Sequence, residues 1–261
     1  MNRIDNVTAE ERRRIIVELV NRRNNLTVSY LCSYFNVSSA TIRNDLRELE
    51  MVGSLRRTHG GAVSVNNYRF DLPYIDRLVE HNEEKQAIGQ YAVNFVKPGD
   101  KIAIDTGTTT RELALSLTQI ENITVVTNDL EVAYYLNNHS KANVFLTGGF
   151  LRKGFNSISG DVAINTLKNV YIDKAFISAE GITIDKGITT TDINLAIEKT
   201  EFIKRASQTI LLSDGSKFGR VAFSKFADIS DIDTIITTNI DDENIIKEYN
   251  DHFVEVININ Y

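Results

Sequence analysis

The sequence predicts two units of different construction: a small arginine-rich bundle of three helices with a hairpin, then a larger α/β unit on a mostly parallel, Rossmann-like open sheet. Three observations carry this. At 261 residues with 42% apolar side chains, the chain exceeds the usual size of one domain and can bury a real core. Charge divides along it: residues 1–70 hold 11 Arg and no Lys against 7 acidic side chains, a balance of +4, while the remainder, with 18 basic and 28 acidic, stands at −10. Apolar spacing divides in the same way, helical throughout the first part and alternating between strand and helix in the second.

The first helix begins after the capping Thr8, with Glu10 and Glu11 in its first turn and apolar residues at helical spacing to Val20. Residues 27–35 predict a short second helix, Asn36-Val37-Ser38 a turn, and Ser38 or Ser39 the cap of a third helix reaching about Met51. Three helices with a tight polar turn before the last describe a helix-turn-helix. After Gly53, residues 54–63 alternate toward strand with Gly60-Gly61 at a hairpin corner, adding a basic wing and ending the first unit near residue 65. Residues 66–96 predict a polar linker and one connecting helix, whose stripe is Ile75, Leu78, Val79, Ile88, Ala92 and Phe95, stopping before Pro98. From 97 to 261, strands at 102–104, 123–126, 144–146, 175–177, 209–212, 234–237 and 254–257 alternate with helical patterns at 108–118, 129–138 and 162–169.

Several classes are excluded. The single Cys32 forbids an intramolecular disulfide, and His59, His81, His139 and His252 offer no zinc spacing, so neither a structural metal nor a cofactor is expected. No apolar run suits a signal peptide or a membrane span, and the expected compartment is the cytoplasm.

On the third helix, positions at about 100° intervals place Ile42, Leu46 and Leu49 toward a core and Ala40, Asn44 and Arg47 opposite, with Thr41 and Arg43 at the flanks. A strip of guanidiniums, an amide and small side chains near a helix start suits the major groove of double-stranded DNA: Arg43 and Arg47 for guanine edges or phosphate, Asn44 for adenine, Ser39 and Thr41 beside them. The run Val37-Ser38-Ser39-Ala40-Thr41-Ile42-Arg43-Asn44-Asp45-Leu46-Arg47-Glu48-Leu49-Glu50, followed by Arg57-Thr58-His59-Gly60-Gly61-Ala62, resembles the signature of the DeoR family of bacterial repressors. The family usually has a second arginine where this chain has Asn44. That resemblance implies operator DNA as a partner, with Arg56, Arg57 and His59 of the wing holding the backbone or minor groove. A short half-site per helix and a symmetric operator imply a homo-oligomer.

In the second unit, Asp105-Thr106-Gly107-Thr108-Thr109-Thr110 follows the first strand and opens a helix, so backbone N–H groups and hydroxyls converge where anions bind. The absence of a GxxxxGK[ST] run argues for a monophosphate over a nucleoside triphosphate. Thr147-Gly148-Gly149, Arg152 and Ser213-Asp214-Gly215-Ser216-Lys217 also lie just beyond apolar strands, where open sheets gather ligands. These segments resemble the family's sensor domain, similar in fold to ribose-5-phosphate isomerases. The resemblance implies a phosphorylated sugar as effector, with Asp105 on its hydroxyls, Thr106 to Thr110 around the phosphate and Lys217 neutralising it. It also points to Asn194, Glu180 and Asp185 near the mouth. The expected function is a sequence-specific repressor of a sugar-metabolism operon, relieved by that effector. The competing reading is a sugar-phosphate isomerase carrying a DNA-binding-like head, because Asp105, Glu180, Asp214 and Lys217 offer acid-base chemistry. A protein-interaction module is the third.

Overall fold

The computed structural model describes residues 7–23, 25–57, 60–64, 74–240 and 242–260. Contacts divide the chain into Met1–Phe70 and Asp71–Tyr261.

In the first unit, α1 (Ala9–Arg23), α2 (Val28–Phe35) and α3 (Ser39–Met51) surround Ile16, Val20, Leu31, Phe35, Ile42, Leu46 and Leu49. Thr27 caps α2, its hydroxyl accepting from the Tyr30 N–H at 3.1 Å, and Ser38 caps α3 by accepting from Thr41 N–H at 3.2 Å. Between them Asn36 takes the left-handed conformation, φ 53°, that a tight turn demands and that Asn tolerates. The wing is β2 (Leu55–Arg57) and β3 (Gly61–Ser64), antiparallel as the alternation predicts. A strand absent from the sequence reading, β1 (Asn25–Thr27), pairs with the other side of β3 and ties the wing to the helices.

The second unit opens with a difference from expectation. The single connecting helix is two, α4 (Tyr74–Val79) and α5 (Asn82–Ala92), broken where His81 adopts φ 52°. Residues 74–96 also belong with the second unit and not with a linker: Ile88 and Ala92 of α5 pack into its core with Val96, Ile102 and Leu113. Then follow β4 (Lys101–Ile104), α6 (Thr108–Ser116), β5 (Thr124–Thr127), α7 (Leu130–His139) and β6 (Asn143–Leu146). A ribbon of β7 (Phe150–Leu151) and β8 (Ile158–Ser159) leads to α8 (Asp161–Leu167) and β9 (Ile172–Ile177). After β10 (Gly181–Thr183), β11 (Gly187–Thr190), α9 (Ile193–Arg205), β12 (Ala206–Leu212) and β13 (Ser224–Ala227), the chain ends in β14 (Thr234–Thr238), α10 (Glu243–Asp251) and β15 (Glu255–Ile259).

Among the described residues the main sheet has seven strands in the order β15-β14-β12-β9-β4-β5-β6. All its pairings are parallel. Both faces are covered, as parallel sheets require: Ile102, Ile104 and Phe176 meet α5, α6 and α7, while Ala103, Ala175 and Ile177 turn to the face of α8, α9 and α10. The chain winds from β4 outward to β6, returns, and winds from β9 to β15. Strand order therefore reverses between β4 and β9, and the crevice beyond the carboxyl ends of those two strands is where such sheets hold ligands. A second sheet, β10-β11-β13, is antiparallel and was not evident from the sequence.

Candidate functional site

On α3 the core stripe is as the periodicity requires, with Ile42 0%, Leu46 1% and Leu49 8% exposed. Ser39, Arg43, Asn44 and Arg47 are exposed, and Thr41 is half-buried with its hydroxyl 2.9 Å from that of Ser38. Asn44 is oriented from both sides, its Nδ2 donating to Glu48 Oε1 at 3.4 Å and its Oδ1 accepting from Arg47 Nη1 at 3.5 Å. Glu50, on the last turn of α3, accepts from the backbone N–H of Arg57 at 2.8 Å and fixes the end of β2 in the wing. His59 and Thr58 lie outside the described residues, and Arg56 is described only through its backbone pairing with Val63.

The arginine excess of this unit is not all directed outward. Asp45, 2% exposed, accepts from Arg12 Nε at 2.6 Å and from Arg13 Nε at 3.0 Å, and Arg13 also pairs with Glu48. Two of the arginines thus hold α1 against α3, and a charge sits within the face that the sequence assigns to apolar packing.

At the switch point, Asp105 follows β4 and is wholly buried. Its Oδ2 accepts from the Ser178 N–H and hydroxyl beyond β9, both at 3.2 Å, and pairs with the ammonium of Lys199 on α9. Lys199 Nζ also donates to Ser178 O at 2.9 Å. The other carboxylate oxygen, Oδ1, is buried and has no hydrogen-bond partner among the described residues. Burial pushes the Asp105 carboxyl above its ordinary range, with the Lys199 charge pulling against it.

Around this pair runs a polar network. Asn128 Oδ1 accepts from Thr106 N–H at 2.9 Å and its Nδ2 donates to Glu198 Oε2 at 2.9 Å. Asp129 Oδ2 accepts from the Thr106 hydroxyl at 2.8 Å while its Oδ1 caps α7. Burial raises the Asp129 carboxyl to about 6 and that of Glu198 to about 7. The threonine turn is therefore partly committed already. The Thr106 hydroxyl is taken by Asp129, and that of Thr110 donates to Asp105 O at 2.6 Å, leaving those of Thr108 and Thr109 as the uncommitted pair at the helix start. Gly107 is needed there for close approach: its φ of 168° is ordinary extended backbone, but an added Cβ would stand 2.3 Å from Ser178 Oγ.

A small cleft open to solvent is lined by Tyr74, Arg77, Thr106, Arg152, Phe155, Asn156, Ser157, Glu180, Leu195 and Lys199. Of the residues expected from sequence, Thr106, Arg152 and Glu180 line it, with Asp105 one hydrogen bond behind Lys199. Arg152 stacks on Phe155, 3.9 Å from the ring centre, and pairs with Asp192 at 3.3 Å. Gly148 and Gly149 are not in the lining: with φ of 81° and 125° they make the turn into β7, where a side chain on Gly149 would meet Ser159 O at 2.5 Å. Asn194 is exposed in the first turn of α9, and Asp185 is exposed beside Lys186. Lys217 also lies outside the lining, in the turn capped by Asp214 beyond β12. It shares its electrostatic surroundings with Asp214 and the buried Lys85, whose ammonium burial lowers to about 8.

Sequence reasoning missed Lys199, Ser178, Asn128, Glu198, Tyr74 and Arg77. Asn128-Asp129 had a signal, a polar pair directly after an apolar strand; Lys199 and Glu198, inside an amphipathic helix, had none. Among the described residues no His, Cys, Asp and Glu group could hold a metal ion, and no helix is long and apolar enough to cross a membrane.

Comparison with known proteins agrees with this division. The DeoR-like helix-turn-helix domain model matches residues 12–68, and the DeoR C-terminal sensor domain model matches residues 80–239. The uncharacterized HTH-type transcriptional regulator YulB of Bacillus subtilis (strain 168) is 37% identical over 246 residues, 94% of this chain and 95% of its own length. The transcriptional repressor AccR of Agrobacterium fabrum (strain C58) is 33% identical over 232 residues, 88% of this chain and 90% of its own. Among solved structures, a D-ribose-5-phosphate isomerase in complex with phospho-erythronic acid is similar at a TM-score of 0.39 and 18% identity, over 52% of this chain and 54% of that one. With both units matched, and with relatives of this identity named as transcriptional regulators, the chain belongs to the DeoR family of helix-turn-helix transcriptional regulators.

Proposed function

We propose that the chain is a cytoplasmic repressor of a sugar-metabolism operon that binds operator DNA as a homo-oligomer through α3 and the wing, and that a phosphorylated sugar in the switch-point cleft lowers its affinity for DNA. The observation that carries the effector half is the fully buried Asp105–Lys199 pair between β4 and β9, with Asp105 Oδ1 unpartnered and open hydroxyls on Thr108 and Thr109 nearby. A buried carboxylate oxygen with no partner is costly and suits a ligand hydroxyl, while the α6 start suits an anion. The exposed Arg43, Asn44 and Arg47 support the DNA half, and a relative named as a transcriptional repressor supports the sign of regulation. In this reading the Thr106–Thr110 turn faces the phosphate, Arg152 borders the cleft, and Lys217 and Lys85 supply positive potential from the β12 end. Gly148 and Gly149 shape the neighbouring ribbon. A thermal-shift screen of phosphorylated sugars against the whole chain, with the corresponding free sugars as controls, tests it. Stabilisation by a sugar phosphate and not by its free sugar is the expected result; no stabilisation by any member removes the effector.

A further inference from the structure

The cleft has one wall of unusual construction. Helix α4 starts at Tyr74, four residues beyond Phe70 at the end of the first unit, and its described side chains enter neither core cluster of the second unit. Among the described residues, three side chains anchor it through polar contacts. The Tyr74 hydroxyl donates to Glu131 at 2.6 Å, Arg77 Nη1 donates to Glu180 Oε1 at 3.1 Å, and Lys85 Nζ donates to the carbonyls of Arg77 and Glu80 at 2.5 Å each. Both Tyr74 and Arg77 line the cleft, facing Lys199, Thr106 and Arg152. The element nearest in sequence to the DNA-binding unit is therefore fastened to the sensor unit by contacts that a ligand can exchange.

We propose that Arg77 is the side chain through which an anionic effector acts on the DNA-binding unit: Glu180 holds it in the ligand-free state, and the anion takes it over and shifts α4. This rests on the reading of the cleft as the effector site. A guanidinium fork suits phosphate oxygens at least as well as a carboxylate, so exchange keeps the charge compensated while changing what α4 is tied to. Only such a difference in contacts between two arrangements lets a ligand shift an equilibrium. The covalent run from α4 toward Phe70 delivers the shift, and no contact between the units is required.

Calorimetry with ribose 5-phosphate, glucose 6-phosphate, fructose 1-phosphate and inorganic phosphate, on the unchanged chain and on Arg77→Gln, Arg77→Lys and Glu180→Gln, tests this alongside anisotropy of a bound operator selected from random duplexes. Arg77→Gln is expected to weaken the binding probe about tenfold and to keep operator bound in its presence, Arg77→Lys to fall between, and Glu180→Gln, which removes a charged internal competitor, to bind the probe more tightly. Operator affinity without probe, measured for each variant, is the reference against which release is read. If Arg77→Gln and Glu180→Gln weaken the probe alike, or leave affinity and release as in the unchanged chain, Arg77 is structural and the inference fails while the effector reading stands. If no probe binds the unchanged chain, the effector reading fails and takes this inference with it.

Discussion

Replacing Lys199 by Met removes a charge from the centre of the cleft while keeping most of the side chain's volume. Lys199 and Asp105 are 1% and 0% exposed, so the change leaves a carboxylate buried without its counter-charge. Losing one member of a buried pair costs about 3–5 kcal/mol. The Ser178 N–H and hydroxyl, each 3.2 Å from Asp105 Oδ2, remain and limit the loss. Burial already pushes the Asp105 carboxyl up from 3.8, and without Lys199 nothing of comparable strength opposes it. A folded-state pKa above the unfolded one gives stability that is full below the unfolded value and is lost as pH rises through the folded one. The variant's deficit therefore grows with pH, small near the unfolded value of 3.8 and reaching about 3–5 kcal/mol once the folded-state carboxyl would ionise. Urea denaturation of the whole chain followed by circular dichroism, at acidic and at neutral pH, reads this in the midpoint at constant slope. Asp105→Asn with Lys199→Met is expected to recover part of the loss, the sign of direct coupling. A loss under about 1 kcal/mol at neutral pH, or one that does not change with pH, would refute the reasoning.

Three further outcomes are expected. Glu198, raised from 4.5 to about 7, stabilises the fold below its unfolded pKa by about 3 kcal/mol, at about 1.36 kcal/mol per unit, and this is lost as pH rises through about 7; Glu198→Gln flattens that part of a stability-against-pH curve, and an unchanged curve removes the assignment. Asp45→Ala leaves Arg12 buried without its partner and destabilises the first unit by about 3–5 kcal/mol, read as loss of operator binding on warming while the melting of the second unit is unchanged; unaltered binding at all temperatures would contradict it. Arg43→Ala costs about 1–3 kcal/mol of specific binding, whereas Arg57→Ala weakens all duplexes alike and lowers the salt slope by about 1, so gel shifts over several salt concentrations that show no difference between the two would undo the division between reading helix and wing.

The parts of the molecule that sequence revealed are those whose determinants are local. Helix α3 is one: Ser38 supplies the cap, Ile42, Leu46 and Leu49 define the buried stripe, and Arg43, Asn44 and Arg47 are left outside. Asp45 escaped because its partners Arg12 and Arg13 lie 33 and 32 residues earlier, beyond any periodicity. The break between α4 and α5 escaped because an apolar stripe continues across it, while the left-handed His81 that separates them leaves no mark in residue type. In the cleft, Asp105, Thr106 and Arg152 could be found as polar residues just past strands. Lys199 and Ser178 could not, because they join Asp105 only once the order β15-β14-β12-β9-β4-β5-β6 sets β9 beside β4, and strand order is a property of the whole sheet. Lys217 was readable as a strand-end cation, but the same order puts β9 between β12 and β4, and Lys217 lies outside the cleft lining.

In the proposed function, one chain reads DNA with its first unit and releases it when an anionic sugar occupies its second. Fluorescence anisotropy of a labelled operator, selected from random duplexes by the whole chain and titrated in the presence and absence of each sugar phosphate that raises its melting temperature, tests this most directly. At least one such ligand is expected to weaken operator binding, and operator to weaken that ligand by the same factor. Operator affinity unchanged by every ligand that stabilises the chain would contradict it.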